Sequence, residues 1–227
     1  MTTRSPIRRI LTAIRKIPLR PDAPARRWLF GGLVATLALG LLAGVSPTRA
    51  EPTAEAARDL IVSVGNDVLD VLRDPAAVKQ EKFERLVTLL NEPIDLDLVA
   101  RLILGRHWRS ASEAQRAEYL ELFRAFALHT LASRLDVYGG QKFEVTGSKV
   151  VGRQDALVSS RILGEGPPLT VDWRVRQRDD DKLVAIDVIV EGVSLIVTQR
   201  SEFGAVVERQ GLDGLLAELR RRADARA

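Results

Sequence analysis

A serine between a strand and a helix is the setting in which many hydrolases hold their nucleophile. Ser194 has this setting, in the stretch EGVSLIVTQRSEFG (Glu191–Gly204). The nucleophile elbow of α/β-hydrolases reads G-x-S-x-G, but Ile196 replaces the last glycine here. In that fold the histidine follows the serine, whereas both histidines of this chain, His107 and His129, precede it. The pattern therefore argues against an α/β-hydrolase site.

Ser194 is also explained as the N-cap of the helix that follows it. A serine hydroxyl at that position accepts a hydrogen bond from an N–H of the first helical turn. Gly192 allows the chain to bend just before it. We predict a cap, and ester hydrolysis at Ser194 is kept as an alternative hypothesis.

The other polar residues show no pattern typical of a metal or cofactor site. His107 lies in an expected turn after Gly105 and His129 lies inside a long helical pattern, and neither has a cysteine or an acidic cluster beside it. Asp179–Asp181 could hold a hard cation, but the segment lacks the glycine and distal glutamate of an EF-hand, which favours a solvated hairpin turn over a calcium site. We predict no enzyme activity, no metal and no cofactor.

The chain has 227 residues, 46% of them hydrophobic, which suffices for one domain with a substantial core. Its formal net charge of +4 is unevenly distributed: residues 1–50 hold nine basic residues and one acid, a net charge of +8, so residues 51–227 carry −4. The remainder of the chain therefore gives no electrostatic reason to expect nucleic acid. The absence of cysteine excludes disulfides and a lipid-modified N-terminal cysteine.

The N-terminal segment is typical of a secretory signal peptide. A basic region ends in a pair of arginines, an apolar run covers Trp28–Val45, and Ala50 is a suitable cleavage residue with the small Thr48 two positions before it. An uncleaved membrane anchor is the alternative, because about 20 apolar residues span a bilayer. The paired arginines also resemble a twin-arginine signal. We predict that residues 1–50 are a cleavable signal peptide and that the protein is exported.

Apolar residues recur at helical spacing through the first half of the remaining chain. The pattern predicts helices over about 53–73, 76–90 and 95–104, the last capped by Asp95 and closed by Gly105. A longer helix is predicted to run to about Val137, and the capping box Ser112-Glu113-Ala114-Gln115 opens it.

From about residue 142 the hydrophobic period changes from 3.6 to 2. Four β-branched runs, separated by turns rich in glycine, proline and aspartate, predict an antiparallel meander near 142–151, 156–163, 169–178 and 183–191. In the fourth run Val184, Ile186, Val188 and Val190 are expected to share one face. Two helices, about 195–209 and 212–222, are predicted to close the chain.

These elements predict an α+β fold, with helices packed on one face of a curved, four-stranded antiparallel sheet. One domain is expected over residues 51–227, with a helical part at 53–138, a sheet at 142–191 and C-terminal helices at 194–222.

Several short patterns occur together in this order. LGRHWR and S-x-x-Q lie within Leu98–Phe126, PPLTVDWRVRQ covers Pro167–Gln177, and Ile186–Leu219 contains D-x-x-x-E-G-V-S, an arginine and G-x-D-x-L. The set resembles the MlaC family, in which LGRYWR and T-x-x-Q correspond to the first pair, so that His107 stands where tyrosine is common. The resemblance covers roughly residues 54–219.

Members of that family are periplasmic phospholipid-binding components of the ABC-type Mla pathway. The resemblance implies a periplasmic carrier that binds phospholipid acyl chains and exchanges lipid with two partners, an inner-membrane ABC transporter complex and an outer-membrane lipoprotein complex. A hopanoid-associated member of the same family is one alternative. A solidly packed structural or adaptor protein is another.

A carrier must bury lipid tails, and each buried CH₂ contributes about 0.8 kcal/mol. An apolar cleft between sheet and helices, with the polar head at its mouth, would serve this purpose. Arg174 and Arg176 alternate with the apolar residues of the third strand and are expected to be surface charges on the outer face. The residues predicted to line the cleft are Leu102, Phe123, Phe126 and Leu131 on the helices, Tyr138 near an edge, and Val171, Trp173, Val175, Ile186, Val188 and Val190 on the sheet.

Overall fold

The structure, a computed structural model, describes residues 53–132 and 138–224. The predicted signal peptide and residues 133–137, the end of the long predicted helix, lie outside these ranges. Within them the chain forms six helices, α1 (Ala54–Arg73), α2 (Lys79–Leu90), α3 (Leu96–Leu104), α4 (Arg106–Ser110), α5 (Glu113–Ala132) and α6 (Leu195–Asp224). α6 contains a break at Gly211, where φ is 71°, so it corresponds to the two predicted C-terminal helices.

The helix starts follow from local hydrogen bonds to side chains. Thr53 Oγ1 accepts from the N–H of Ala56 and Asp95 Oδ1 accepts from the N–H of Leu98, so both residues satisfy donors that a first turn leaves free. α4 is a short helix where a turn was expected, and it begins directly after Gly105, whose φ is 57°.

The strands form one antiparallel meander in the order β1-β2-β3-β4-β5, which confirms the predicted α+β fold. Four of them match the predicted runs, and a two-residue strand was not predicted. Their bounds are β1 (Lys142–Val151), β2 (Asp155–Leu163), β3 (Leu169–Gln177), β4 (Leu183–Val190) and β5 (Val193–Ser194).

The regular alternation predicted for β4 is wrong, because the pairing of β3 with β4 shifts at a bulge. Trp173 pairs with Val188, but Val175 pairs with Ala185, so one more residue lies on β4 than on β3 between the two pairs. A bulge of this kind reverses which side chains face the core on its far side. Val184 therefore lies opposite Arg176 and does not share the face of Val188.

The described residues hold two separate apolar clusters. The sheet cluster forms where α1 packs on one face of the sheet, which we call the inner face; its buried members are Ala57, Ile61, Ala156, Val158, Val175 and Ala185. The helical cluster joins α3, α5 and α6; its buried members are Ala100, Ile103, Leu104, Tyr119, Phe123, Ile196, Phe203, Leu215, Leu216 and Leu219. No described side chain belongs to both, so the sheet and the helical layer each have a core of their own.

α1 lies close to the sheet at Gly65, where a Cβ atom would overlap the ring of Phe143 on β1. We expect Gly65→Ala to lower the free energy of unfolding by about 1–2 kcal/mol, because overpacking a core costs more than the helix propensity that alanine adds. Urea denaturation would measure the change.

Gly204 in α6 provides the matched control, because apart from the adjoining backbone of its own helix no described atom lies within 4 Å of a Cβ placed there. Gly204→Ala should raise stability by up to about 1 kcal/mol through helix propensity alone. If Gly65→Ala stabilises the protein to the same extent, α1 does not press on Phe143.

Candidate functional site

The stretch around Ser194 is a helix cap. Ser194 Oγ accepts a hydrogen bond from the N–H of Val197 at 3.0 Å and donates to Asp187 Oδ2 at 2.5 Å. The other carboxylate oxygen of Asp187 accepts from the N–H of Ile196 at 3.1 Å. The predicted cap is confirmed, and Asp187, which sequence reasoning did not assign, is a second capping acceptor for α6.

Glu191 and Gly192 form the tight turn that precedes this cap, between β4 and β5. Both have positive φ, 49° and 80°, as a type I′ hairpin turn requires. The glutamate tolerates this conformation because its carboxylate accepts from the N–H of Thr170 at 2.6 Å. The E-G-V-S pattern is thus explained as a turn followed by a cap.

We expect Ser194→Ala to lower the free energy of unfolding by about 0.5–2 kcal/mol, the usual cost of removing an N-cap. Ligand binding should persist in the protein that folds, because the hydroxyl is occupied by the cap. Chemical denaturation gives the energy, and Ser194→Thr is the control that should restore much of it, because its hydroxyl can still cap α6 and donate to Asp187. A variant of unchanged stability that has lost an activity would support the hydrolase hypothesis instead.

Two other residues of the family patterns, Arg200 and Gln115, connect α6 to the rest of the helical layer. Arg200 donates through Nε and one terminal nitrogen to the carbonyl of Leu102, at 2.9 and 2.6 Å, and so satisfies a free acceptor at the end of α3. Gln115 completes the predicted capping box with Ser112 and also donates to Asp213 Oδ1 at 2.8 Å. These polar residues fasten helices to one another.

Arg174 and Arg176 lie on the outer face as predicted, the first exposed and the second partly exposed, and they share a partner that was not predicted. Both bind the carboxylate of Asp155, which is only 4% exposed, with nitrogen–oxygen distances of 2.6–2.9 Å. Burial would raise the pKa of this carboxyl, but the hydrogen bonds and charges of Arg176 and then of Arg174 outweigh burial and hold the pKa below its ordinary value. The outer face of the sheet therefore carries a buried carboxylate held by two partly exposed arginines.

The residues considered for metal binding do not come together. No group of three or more histidine and acidic residues that could hold an ion occurs within 53–132 and 138–224. Asp181 has a φ of 61° in the β3–β4 turn and accepts from Gln177 Nε2 at 3.1 Å. His107 accepts from Arg106 Nε at 3.4 Å.

The inner face of the sheet brings together most of the predicted sheet residues. Val171 and Trp173 lie opposite Val190 and Val188, so these four side chains share one face with Val175. Val175 is fully buried in the sheet cluster, whereas Val188 and Val190 are partly exposed and belong to neither cluster. Ile186 is buried at the bulge.

Trp173 is held in place by a serine that the sequence analysis did not select. Its Nε1 donates to Ser160 Oγ at 2.9 Å, and that hydroxyl donates to the carbonyl of Val171 at 2.7 Å. Ser160 is 0% exposed. A polar residue on the apolar face of a strand, close to a tryptophan, is a signal that could have identified it.

The helical residues that were predicted to line the cleft lie in different surroundings. Phe123 is 4% exposed, with its ring centre 5.9 Å from that of Tyr119 and 6.1 Å from that of Phe126, inside the helical cluster. Leu102 packs against the same cluster. These three predicted residues therefore contact other helices, and their role in lipid binding stays a prediction.

Leu131 and Tyr138 lie on either side of the residues that the structure does not describe. Both are half-buried. The hydroxyl of Tyr138 accepts a hydrogen bond from Arg73 Nε at 3.1 Å, which ties the end of α1 to the chain before β1. Since Gly65 of α1 lies over Phe143, this contact falls at the end of the sheet where β1 begins.

None of the helices in the described ranges is long and apolar enough to span a membrane. The described part of the protein thus has an apolar face on one side of the sheet and a helical layer that polar contacts hold together.

A phospholipid-binding protein from Ralstonia solanacearum, solved in complex with a phospholipid, superposes with a TM-score of 0.66 at 23% identity, over 74% of this chain and 97% of that one. At this identity the likeness shows the fold. The intermembrane phospholipid transport system binding protein MlaC of Haemophilus influenzae is 23% identical over 135 residues, which are 57% of this chain and 63% of that protein. The alignment thus spans less than two thirds of that relative. The sequence model of the MlaC protein family matches residues 63–221, more than half of the chain, and the chain therefore belongs to the MlaC family.

Proposed function

We propose that this protein is a lipid carrier that binds phospholipid acyl chains against the inner face of its sheet. The observation that carries the proposal is the pair Val188 and Val190, apolar and partly exposed beside the buried Val171. Partly exposed apolar side chains on the inner face favour a ligand, because covering them removes apolar area from water. Family membership and the phospholipid bound to the Ralstonia protein support the same class of ligand.

The proposed route of the lipid is between an inner-membrane ABC transporter complex and an outer-membrane lipoprotein complex. The names of the relatives support this route, since the Haemophilus protein is named for intermembrane phospholipid transport. A lipid that crosses an aqueous compartment must keep its tails out of water, so a soluble carrier with an apolar site fits such a step.

Lipid extraction and native mass spectrometry of the purified protein test the proposal. We expect about one equivalent of a phosphate-containing lipid, released on denaturation. A polycyclic hydrocarbon lipid in its place would support the hopanoid-associated alternative, and a folded protein without lipid, before and after incubation with phospholipid vesicles, would support the adaptor.

Export to the periplasm is part of the proposal and is supported by the signal-peptide pattern of residues 1–50. We expect the mature protein to begin at Glu51, because Ala50 and Thr48 provide the small residues that a signal peptidase requires. N-terminal sequencing of the periplasmic fraction would check this. Material found in the membrane fraction that retains Trp28–Val45 would contradict it.

A further inference from the structure

On β3 and β4 the inner face of the sheet has a closed half and a half that lies outside the clusters. In the closed half, Ala57 and Ile61 of α1 cover the row formed by Ala156, Val175 and Ala185, whose side chains are 0–8% exposed. Two rows further along the strands, Val171 lies between Ser160 and Val190 and belongs to neither cluster. The closed half is built from small side chains and leaves no described space for an acyl chain.

Trp173 occupies the row between these two halves. It lies opposite Val158 on β2 and Val188 on β4, and its ring packs against the edge of the sheet cluster. It is the largest side chain in the row, so its indole separates the covered alanines and valines from the partly exposed valines.

Contacts with neighbouring side chains fix the orientation of the Trp173 indole at the boundary between the two halves. Nε1 reaches Ser160, which belongs to the row of Val171, so the ring leans from its own row toward the second half. It also meets Phe143 edge to face, with ring centres 6.2 Å apart and planes at 83°. Phe143 pairs with Ile162, one row beyond Ser160, so it lies on the same side of the indole as that serine. Phe143 is in turn covered by α1 at Gly65. A hydrogen bond and a ring contact therefore both hold the indole in its tilt toward the row of Val171.

We propose that Trp173 is the floor of the acyl-chain site and sets the longest chain that the protein accepts. This inference rests on the proposed function. Chains enter the half that holds Val188 and Val190, and their terminal methyl groups end at the indole, because the small-residue core behind it is already filled. Ser160 is a positioning residue that keeps the indole in this orientation.

Chain-length competition tests the proposal directly. The full-length protein is incubated with vesicles that contain equal amounts of dimyristoyl, dipalmitoyl, distearoyl and diarachidoyl phosphatidylglycerol, and the bound lipid is identified by mass spectrometry. We expect Trp173→Val to shift the preferred chain upward by about two to four carbons, since one row of a strand face spans about 7 Å and the gap relaxes in part. Ser160→Ala should give a smaller shift in the same direction.

Phe203→Leu is the control, because it reduces packing in the helical cluster without touching the sheet. It should lower Tm and leave the chain-length distribution unchanged. If Trp173→Val still binds lipid and the chain-length distribution of that lipid is unchanged, Trp173 is not the floor of the site. Wild-type protein that binds none of the four lipids would instead contradict the proposed function.

A second measurement does not depend on the folding of Trp173→Val. The chain has three tryptophans, so Trp28→Phe together with Trp108→Phe leaves Trp173 as the sole tryptophan. Phosphatidylcholines brominated near the carboxyl end, the middle or the methyl end of the chain should quench its fluorescence most strongly from the methyl end. Strongest quenching from the carboxyl end, or none while lipid is bound, would show that Trp173 is not the floor.

Discussion

Val188→Trp is expected to abolish most of the bound lipid while the protein stays folded. Val188 is partly exposed on the inner face, opposite Trp173, so an added ring can occupy the volume that the acyl chain leaves. In a closed core the same substitution would cost about 1–3 kcal/mol of stability. Tm and lipid stoichiometry, measured on the same sample, separate a ligand site from a core.

Two further variants are needed to interpret the result of Val188→Trp. Val197→Trp is the matched control, because Val197 is 61% exposed on α6 and the substitution should leave lipid content unchanged. Val171→Trp should also lose lipid, with a larger fall in Tm, because Val171 is only 3% exposed. If lipid content is unchanged in both sheet variants, or if both unfold, the inner face does not hold the ligand.

Replacement of both Arg174 and Arg176 by leucine is expected to lower the free energy of unfolding at neutral pH by about 2–3 kcal/mol. Breaking a buried ion pair leaves an uncompensated charge that costs about 3–5 kcal/mol, and the partial exposure of both arginines reduces that figure. Urea denaturation measures the loss.

The pH dependence of stability should also change sign in this variant. In the wild type the pKa of Asp155 is lowered, so its contribution is present above the unfolded pKa of about 3.8 and is lost as pH falls through the folded pKa. Without the arginines burial raises that pKa, so the variant should be most stable below the unfolded pKa and lose stability as pH rises through the folded one. Adding Asp155→Asn to the double-leucine variant should remove this pH dependence of stability. If the dependence persists, another titratable group causes it.

Local patterns in the sequence determined the elements and their ends. The change of hydrophobic period from 3.6 to 2 predicted the helices and the four main strands, because each period reflects the geometry of one backbone conformation. Ser194 as a cap and the box at Ser112 and Gln115 were also predictable, since their partners lie within three residues. The family resemblance could be read from the sequence because it consists of short patterns of residue types in a fixed order.

The roles of the family patterns required the tertiary structure. Arg200 binds Leu102, Gln115 binds Asp213 and Asp187 caps α6, and the first two of these pairs are 98 residues apart in sequence. The patterns that identify the family therefore hold the helical layer together, whereas the proposed ligand face consists of ordinary valines and one tryptophan.

Pairings across the sheet were likewise decided by the fold. The bulge near Ile186 reversed the expected face of Val184, because one extra residue in a strand exchanges inward and outward side chains. Arg174 and Arg176 were predicted as surface charges, and only the pairing of β2 with β3 gave them their shared partner, the buried Asp155. Alternation along one strand predicts which of its residues share a face. The register with the neighbouring strands decides which side chains that face contacts, and register depends on contacts between residues distant in sequence.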